Sequence, residues 1–229
     1  MSKTIQEVME TLKSLGNESR RKNNMKNGAG ENQFGVLMGP MRALAKEIGI
    51  AHDLAMGLWE TGNADAMLLS CMTMDASQLS PNRAEAMITP LTYSQLIDEF
   101  SFTALSLAPW AVEKMQEWMR SPQSALGRVG WNLLIDQIIK KKKLPMEIDS
   151  LLVWIEKETK DAPELKQWAM NRCLCEIGIR MREYTDRCVI IGEKLGRLDN
   201  RPVPKGCYSS YAPEWIAAGI RLAKQRKRS

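Results

Sequence analysis

Two Ser-Pro steps, Ser80-Pro81 and Ser121-Pro122, each pair a capping residue with a proline at the first position of a predicted helix. Proline fits that position because its missing N–H would have no partner within the helix. Pro40 and Pro163 complete an even series in which each proline lies 41 residues after the one before. A period of about 40 residues accommodates two helices and two turns, as in HEAT-type repeats. The spacing therefore predicts stacked helix pairs that share one core.

Apolar residues recur at helical intervals along nearly the whole chain. A first stripe runs from Ile5 to Leu15 behind a Thr4–Glu7 capping box, and another runs from Leu144 to Glu158. Residues 16–36, rich in Gly and Asn, are predicted as a loop, and no alternating segment indicates a strand. We predict an all-α protein: a single HEAT-like α-solenoid domain over residues 1–229, an α-α superhelix of about six helix pairs.

Composition excludes several classes of protein. His52 is the only histidine, so a multi-histidine metal site is excluded, as are Ser-His and Cys-His hydrolases unless His52 itself serves. The five cysteines have no framework or metal-site spacing, which predicts reduced thiols in a cytoplasmic protein. The first residues do not resemble a secretory signal, and no apolar run approaches the ~20 residues that span a bilayer. We expect no metal, no cofactor and no membrane partner.

Positive charge is clustered in a chain whose net charge is +5. The clusters are residues 20–26, with four cations, Lys140 to Lys143, and the tail 221–229, with five cations. Clustered cations on an otherwise balanced protein favour a polyanion partner, most simply nucleic acid. The alternative is a set of solvated faces, with lysines favoured at a helix C-terminus by the dipole. The tail is interpreted as a solubilising or disordered segment.

Several blocks, in order along nearly the whole chain, resemble the DNA alkylation repair family, the AlkD-type HEAT-like glycosylases and their relatives. The blocks are Asn27-Gly28-Ala29-Gly30 with Gln33-Phe34-Gly35-Val36, Met41-Arg42-Ala43-Leu44-Ala45-Lys46, His52-Asp53-Leu54-Ala55 with Leu58-Trp59-Glu60-Thr61-Gly62, Gly127-Arg128-Val129-Gly130-Trp131, Trp168-Ala169-Met170-Asn171 with Glu176-Ile177-Gly178, Val203-Pro204-Lys205-Gly206-Cys207 and Tyr211-Ala212-Pro213-Glu214-Trp215-Ile216. The resemblance implies a solenoid whose basic concave groove holds double-stranded DNA, alkylated or structured. For active members it implies removal of cationic purines such as N7-methylguanine and N3-methyladenine.

The resemblance also implies a catalytic set in active members: a Trp, an Asp four residues later, an Arg on the next repeat and a second Trp. In this sequence Phe102 stands at the first Trp and Ser106 at the Asp, while Arg128 matches the Arg. Asn171-Arg172 lies where the second Trp is expected, so either Asn171 or Arg172 replaces it. A carboxylate stabilises the oxocarbenium charge that develops as a glycosidic bond breaks, and a neutral Ser cannot. The resemblance therefore implies DNA binding with weak or lost excision.

The same residues support other interpretations. A register shifted by one turn makes Asp98 or Glu99 the catalytic acid of an active glycosylase. Arg128 and Trp131, three apart on one helix face, are either a phosphate contact beside an aromatic wall or a surface Arg over a core Trp. Lys205 either reaches the DNA groove or lies in a solvated turn. A protein-interaction scaffold is the alternative without nucleic acid.

Overall fold

The computed structural model of the chain describes residues 3–198 and 210–226, and within these ranges it contains helices and no strands. The all-helical prediction is confirmed. The α-helices are α1 (Ile5–Ser14), α2 (Glu18–Lys26), α3 (Met38–Ile48), α4 (His52–Glu60), α5 (Ala64–Thr73), α6 (Pro81–Ile88), α7 (Ser94–Glu99), α8 (Ala111–Arg120), α9 (Ser124–Ile139), α10 (Ile148–Glu158), α11 (Glu164–Arg180), α12 (Thr185–Leu195) and α13 (Ala212–Arg226). A π-helical turn over Phe100–Ala104 and a 3₁₀ turn over Leu105–Leu107 follow α7.

The chain forms two compact units that divide between Lys114 and Met115. In the first unit α5 is central: it packs against α3, α4, α7 and the π-helical turn, and eight of its ten residues are buried. In the second unit α11 is central and packs against α9, α10, α12 and α13. Each unit therefore packs other helices around one central helix, and such packing is what makes helices shorter than about 15 residues stable.

The evenly spaced prolines lie at or near helix starts. Pro81 is the first residue of α6, and the Ser80 hydroxyl accepts a hydrogen bond from the Arg83 N–H at 3.3 Å, as predicted. The prediction for Ser121-Pro122 is wrong by two residues, because the Gln123 side chain caps α9 instead. Two helices per period is also wrong for part of the chain: three α-helices occupy the interval from α3 to α6 and again from α6 to α9.

Helix boundaries near the chain ends follow the apolar stripes. The Thr4–Glu7 capping box is present, and α1 buries Val8 and Leu12 of its stripe. The second stripe begins as a helix only at Ile148, since Pro145 disfavours helical backbone before it. The basic tail is helical as far as residue 226, because α13 continues through it, and residues 227–229 lie outside the described residues.

The predicted loop over residues 16–36 contains α2, so that prediction is wrong over Glu18–Lys26. The helix has no apolar stripe, because its residues are almost all polar. Its stability comes from specific contacts instead: Asn17 caps the first turn, and the buried Asn24 amide donates to the Gln33 side chain at 3.0 Å. Such contacts across nine residues leave no periodic signal in the sequence.

A buried carboxylate fixes the segment that follows α2. Asp65, in the first turn of α5, is 1% exposed. Its two oxygens accept hydrogen bonds from the backbone N–H groups of Phe34, Gly35 and Val36 at 2.6, 2.9 and 3.0 Å. Gly35 has a φ of +78°, and a Cβ there would lie 2.6 Å from the Arg21 nitrogen, so this segment requires a glycine. Asp65 therefore holds the family-like block at 33–36 against the central helix.

Candidate nucleic-acid interface

In the first unit the candidate residues lie where α7 passes into the π-helical turn. Asp98 is the next-to-last residue of α7 and Glu99 is the last, and both are partly exposed. Phe102 lies within the π-helical turn and is partly exposed, whereas Ser106 is 7% exposed and donates its hydroxyl to the Phe102 carbonyl at 3.0 Å. π-helical turns are frequent at functional sites. The π-helical turn and the 3₁₀ turn after it bring Phe102 and Ser106 together, but the Ser106 hydroxyl is already hydrogen-bonded to the backbone.

Glu99 is the carboxyl group in this region with a shifted pKa. Burial raises its pKa above the ordinary value of 4.5, the Arg42 guanidinium opposes that rise, and the Asp98 carboxylate adds to it. Burial dominates because a charged carboxylate loses hydration that the Arg42 cation replaces only in part. Glu99 is thus a partly exposed acid that holds its proton to a higher pH than a free glutamate does, a property that catalytic acids share.

In the second unit the candidate residues lie on α9 and α11, which pack together. Arg128 is 4% exposed, and its Nη1 donates to the Leu165 carbonyl at 3.3 Å. Trp131 is fully buried, with its ring edge-on to Trp154 at 5.1 Å between centroids. Trp131 therefore has no exposed surface from which to contact a ligand.

Asn171 and Arg172, which the resemblance predicts at the place of the second Trp, differ in exposure. Asn171 is 1% exposed and its amide donates to the Ser210 carbonyl at 3.0 Å, which ties α11 to the residues before α13. Arg172 is partly exposed and presents a cation on α11. Lys205 lies outside the described residues, so its place relative to Arg172 stays a prediction.

A buried lysine, Lys166, was not predicted from the sequence. It is 6% exposed, lies against Gly127 of α9, and donates its Nζ to the Ser121 carbonyl at 3.2 Å. Burial lowers its pKa, and the Glu158 carboxylate opposes that shift. Lys166 follows Leu165, whose carbonyl accepts from Arg128, so each of these two cations is fixed by a backbone carbonyl. The sequence signal for this contact was Gly127, which lies in one of the blocks that resemble the family, because a side chain there would displace Lys166.

The lysine cluster Lys140–Lys143 forms the turn after α9 and is exposed throughout. Lys140 pairs with Asp136 at 2.8 Å, whereas the other three lysines form no ion pair with any described residue.

Over the described ranges no group of three or more His, Cys, Asp or Glu could hold a metal ion. Nor does any helix in the described part of the chain have the length and apolar character needed to cross a membrane.

The fold is that of the HEAT-like helical-repeat proteins. A solved structure described as "a new family of proteins related to the HEAT-like repeat DNA glycosylases with affinity for branched DNA structures" matches with a TM-score of 0.84 and 26% sequence identity, over 96% of this chain and 95% of that one. The sequence matches the family described as DNA alkylation repair enzyme over residues 8–216, and the chain belongs to that family. No curated protein matches the sequence. The predicted family and fold are therefore confirmed.

Proposed function

We propose that this protein binds DNA through its phosphate backbone, that it prefers branched DNA over linear duplex, and that its excision of alkylated purines is weak or absent. The observation that carries the proposal is the similarity to proteins with affinity for branched DNA structures, which extends over nearly the full length of both chains. A likeness of that extent preserves the helices that would present DNA-binding side chains. Binding by backbone charge and DNA shape needs no base-specific contacts.

Exposed cations support a polyanion partner in both units. Lys22 and Lys26 of α2 lie four residues apart on one helix face, and neither forms an ion pair with a described residue. In the second unit three lysines of the turn after α9 are likewise free of described ion pairs, and Arg172 adds a partly exposed cation. Each cation that meets a phosphate releases condensed counterions, so affinity falls steeply as salt rises.

Weak excision follows from the residues at the expected catalytic position. Phe102 and Ser106 stand where active members carry Trp and Asp, and Ser106 has no charge to stabilise an oxocarbenium ion. The loss of one stabiliser of this kind typically costs a few kcal/mol in the transition state, and about 1.4 kcal/mol is a factor of ten in rate. The hydroxyl of Ser106 is moreover occupied by the Phe102 carbonyl.

A salt titration tests the binding proposal. Fluorescence anisotropy of a four-way DNA junction and of a linear duplex of equal length would be measured between 50 and 200 mM salt. We expect tighter binding to the junction and a steep linear fall of log affinity with log salt. Binding that is absent, or that stays flat with salt, would contradict the proposal and favour the protein-interaction scaffold.

A second candidate function is an active DNA glycosylase that uses Glu99, and it is favoured by the position of that partly exposed carboxyl group at the end of α7, directly before the π-helical turn that contains Phe102. Release of N7-methylguanine from methylated duplex DNA would be compared between the wild type and Glu99→Gln, with Asp98→Asn in parallel. The matched control is Glu31→Gln, which alters an exposed acid of the same unit. Release that is lost in Glu99→Gln and retained in the control supports this function. No release by the wild type supports the binding protein.

A further inference from the structure

The turn after α9 has an unusual backbone conformation. The Lys142 N–H donates to the Gln137 carbonyl at 3.0 Å and the Lys141 N–H donates to the Ile138 carbonyl at 3.1 Å, the pattern of a Schellman helix end. This pattern places Lys141 in the left-handed region, with a φ of +54°. Among the described residues Lys141 is the one non-glycine residue with a positive φ. A side chain there is strained, since its Cβ approaches backbone carbonyl oxygen.

Other helices of the same chain use glycine at the corresponding place. Gly28 and Gly62 lie two residues after the ends of α2 and α4, as Lys141 does after α9, with φ of +91° and +64°. Glycine adopts this conformation without steric cost. The strained lysine after α9 is thus an exception within this chain, and its backbone role would be performed better by glycine. Lys141 differs from a glycine at this position by its charged side chain.

The charge of this turn is more than the helix end requires. Cations near a helix C-terminus interact favourably with the dipole, and Lys140, which also pairs with Asp136, already meets that need. Lys141, Lys142 and Lys143 are exposed and form no ion pair with a described residue, so their mutual repulsion is uncompensated. Three close cations on a hydrogen-bonded turn match a row of backbone phosphates, which in duplex DNA carries one charge per about 1.7 Å of axis.

We propose that Lys141, Lys142 and Lys143, the lysine turn, form a phosphate-binding site for the DNA backbone. Lys141 lies 13 positions after Arg128, about 20 Å along the helix axis at 1.5 Å per residue, so this site is separate from the family-like residues at the start of α9. The Schellman hydrogen bonds fix the backbone of the turn before DNA binds, which lowers the ordering cost of binding. The inference rests on the proposed function, because it assigns a contact for the same DNA.

The decisive variant is Lys141→Gly, which removes one charge and leaves the backbone in a conformation that glycine prefers. We expect its melting temperature to be no lower than that of the wild type. We expect the slope of log affinity against log salt for a four-way junction to fall by about 1. Such a slope corresponds to roughly tenfold weaker binding at about 0.1 M salt. The triple variant Lys141→Gly, Lys142→Gln, Lys143→Gln should lower the slope by about 3.

Two controls separate the site from net charge and from general DNA binding. Lys141→Arg keeps the cation and the strain, and Lys157→Gln removes an exposed lysine of α10 in the same unit. Both should bind the junction within about twofold of the wild type. Unchanged binding by Lys141→Gly, or an equal loss in Lys157→Gln, would overturn this inference alone. Absence of junction binding by the wild type would overturn the proposed function, and this inference with it.

Discussion

The Asp65 carboxylate accepts three backbone hydrogen bonds in the interior of the first unit, and its replacement gives the clearest residue-scale prediction. In Asp65→Asn one oxygen becomes an NH₂ group, which cannot accept from an N–H. At least one buried backbone N–H then loses its partner, and the remaining bonds lose their charge assistance. We expect the free energy of unfolding to fall by about 3 kcal/mol, as measured by urea denaturation.

Asp53→Asn is the matched control, because Asp53 lies in the first turn of α4 as Asp65 does in α5, but is exposed. Its loss removes only a favourable interaction with the helix dipole, worth about 0.5 kcal/mol. A similar effect of the two substitutions would show that the three hydrogen bonds contribute little beyond the dipole.

Glu99 gives a pH-dependent prediction. Its folded pKa lies above 4.5 because burial disfavours the charged form, so the folded state is favoured by protonation. That contribution is present below pH 4.5 and is lost as the pH rises through the folded pKa. Glu99→Gln stays neutral, so its free energy of unfolding should exceed that of the wild type at pH 7, and the difference should shrink towards pH 4. A difference independent of pH would contradict the burial effect.

The sequence located candidate residues more accurately than it predicted their exposure. The helical spacing placed Arg128 and Trp131 on one helix, but it could not show that both are buried, because α9 is covered along almost its whole length. A charged residue on a helix is ordinarily read as a surface residue. Arg128 is buried because the Leu165 carbonyl, 37 residues away, accepts from its guanidinium, and such a long-range partner leaves no local signal.

At the scale of elements, a close helix contact in the second unit depends on Gly130 of α9. A Cβ at Gly130 would lie 2.6 Å from the backbone carbonyl carbon of Trp118 in α8. Backbone cannot rotate away as a side chain can, so α8 and α9 must separate to admit a methyl group. We expect Gly130→Ala to lower the free energy of unfolding by about 3 kcal/mol, measured by urea denaturation.

Two other glycines calibrate that result. At Gly127 the added Cβ meets only the Lys166 side chain, which can shift, so Gly127→Ala should cost less than Gly130→Ala. Gly39 of α3 has no atom other than those of its chain neighbours within 4 Å of its Cβ position, but the Pro40 ring disfavours helical backbone for a preceding residue with a Cβ. The gain in helix propensity from Gly39→Ala is therefore offset, and we expect it to change the free energy of unfolding by less than Gly130→Ala does. A larger loss at Gly127 than at Gly130 would contradict the role of the α8–α9 contact.

Elements with an apolar stripe were predictable, and those held by polar contacts were not. The stripes of α1 and α10 identify both helices, because burial of one face is what stabilises them. The polar helix α2 depends on the Asn17 cap and on Asn24, which have no periodicity. The π-helical turn after α7 was also missed, since its one extra residue per turn shifts the apolar register without any distinctive residue type.

At the scale of the whole molecule, the proline period identified the repeat class but not the number of helices per repeat. Short α-helices such as α7, with six residues, allow three helices to occupy 41 residues in the first unit. In the second unit α9 and α11 have 16 and 17 residues, and two helices fill the same interval. The period therefore gives the number of residues per repeat, whereas the lengths of the helices determine how many helices each repeat contains.

We propose that residues 1–229 unfold as a single domain, although they form two compact units. The proposal predicts that amide hydrogen exchange reports one global unfolding free energy for the slowest amides of α5, in the first unit, and of α11, in the second. Gly130→Ala makes the test decisive, because the backbone atoms that its Cβ would meet, those of Trp118 and Met119, lie in the second unit. In a single domain this substitution should lower the protection of α5 and α11 equally, since the slowest amides of both helices then exchange through the same unfolded state. Loss of protection in α11 while α5 keeps its wild-type free energy would show that the two units unfold independently.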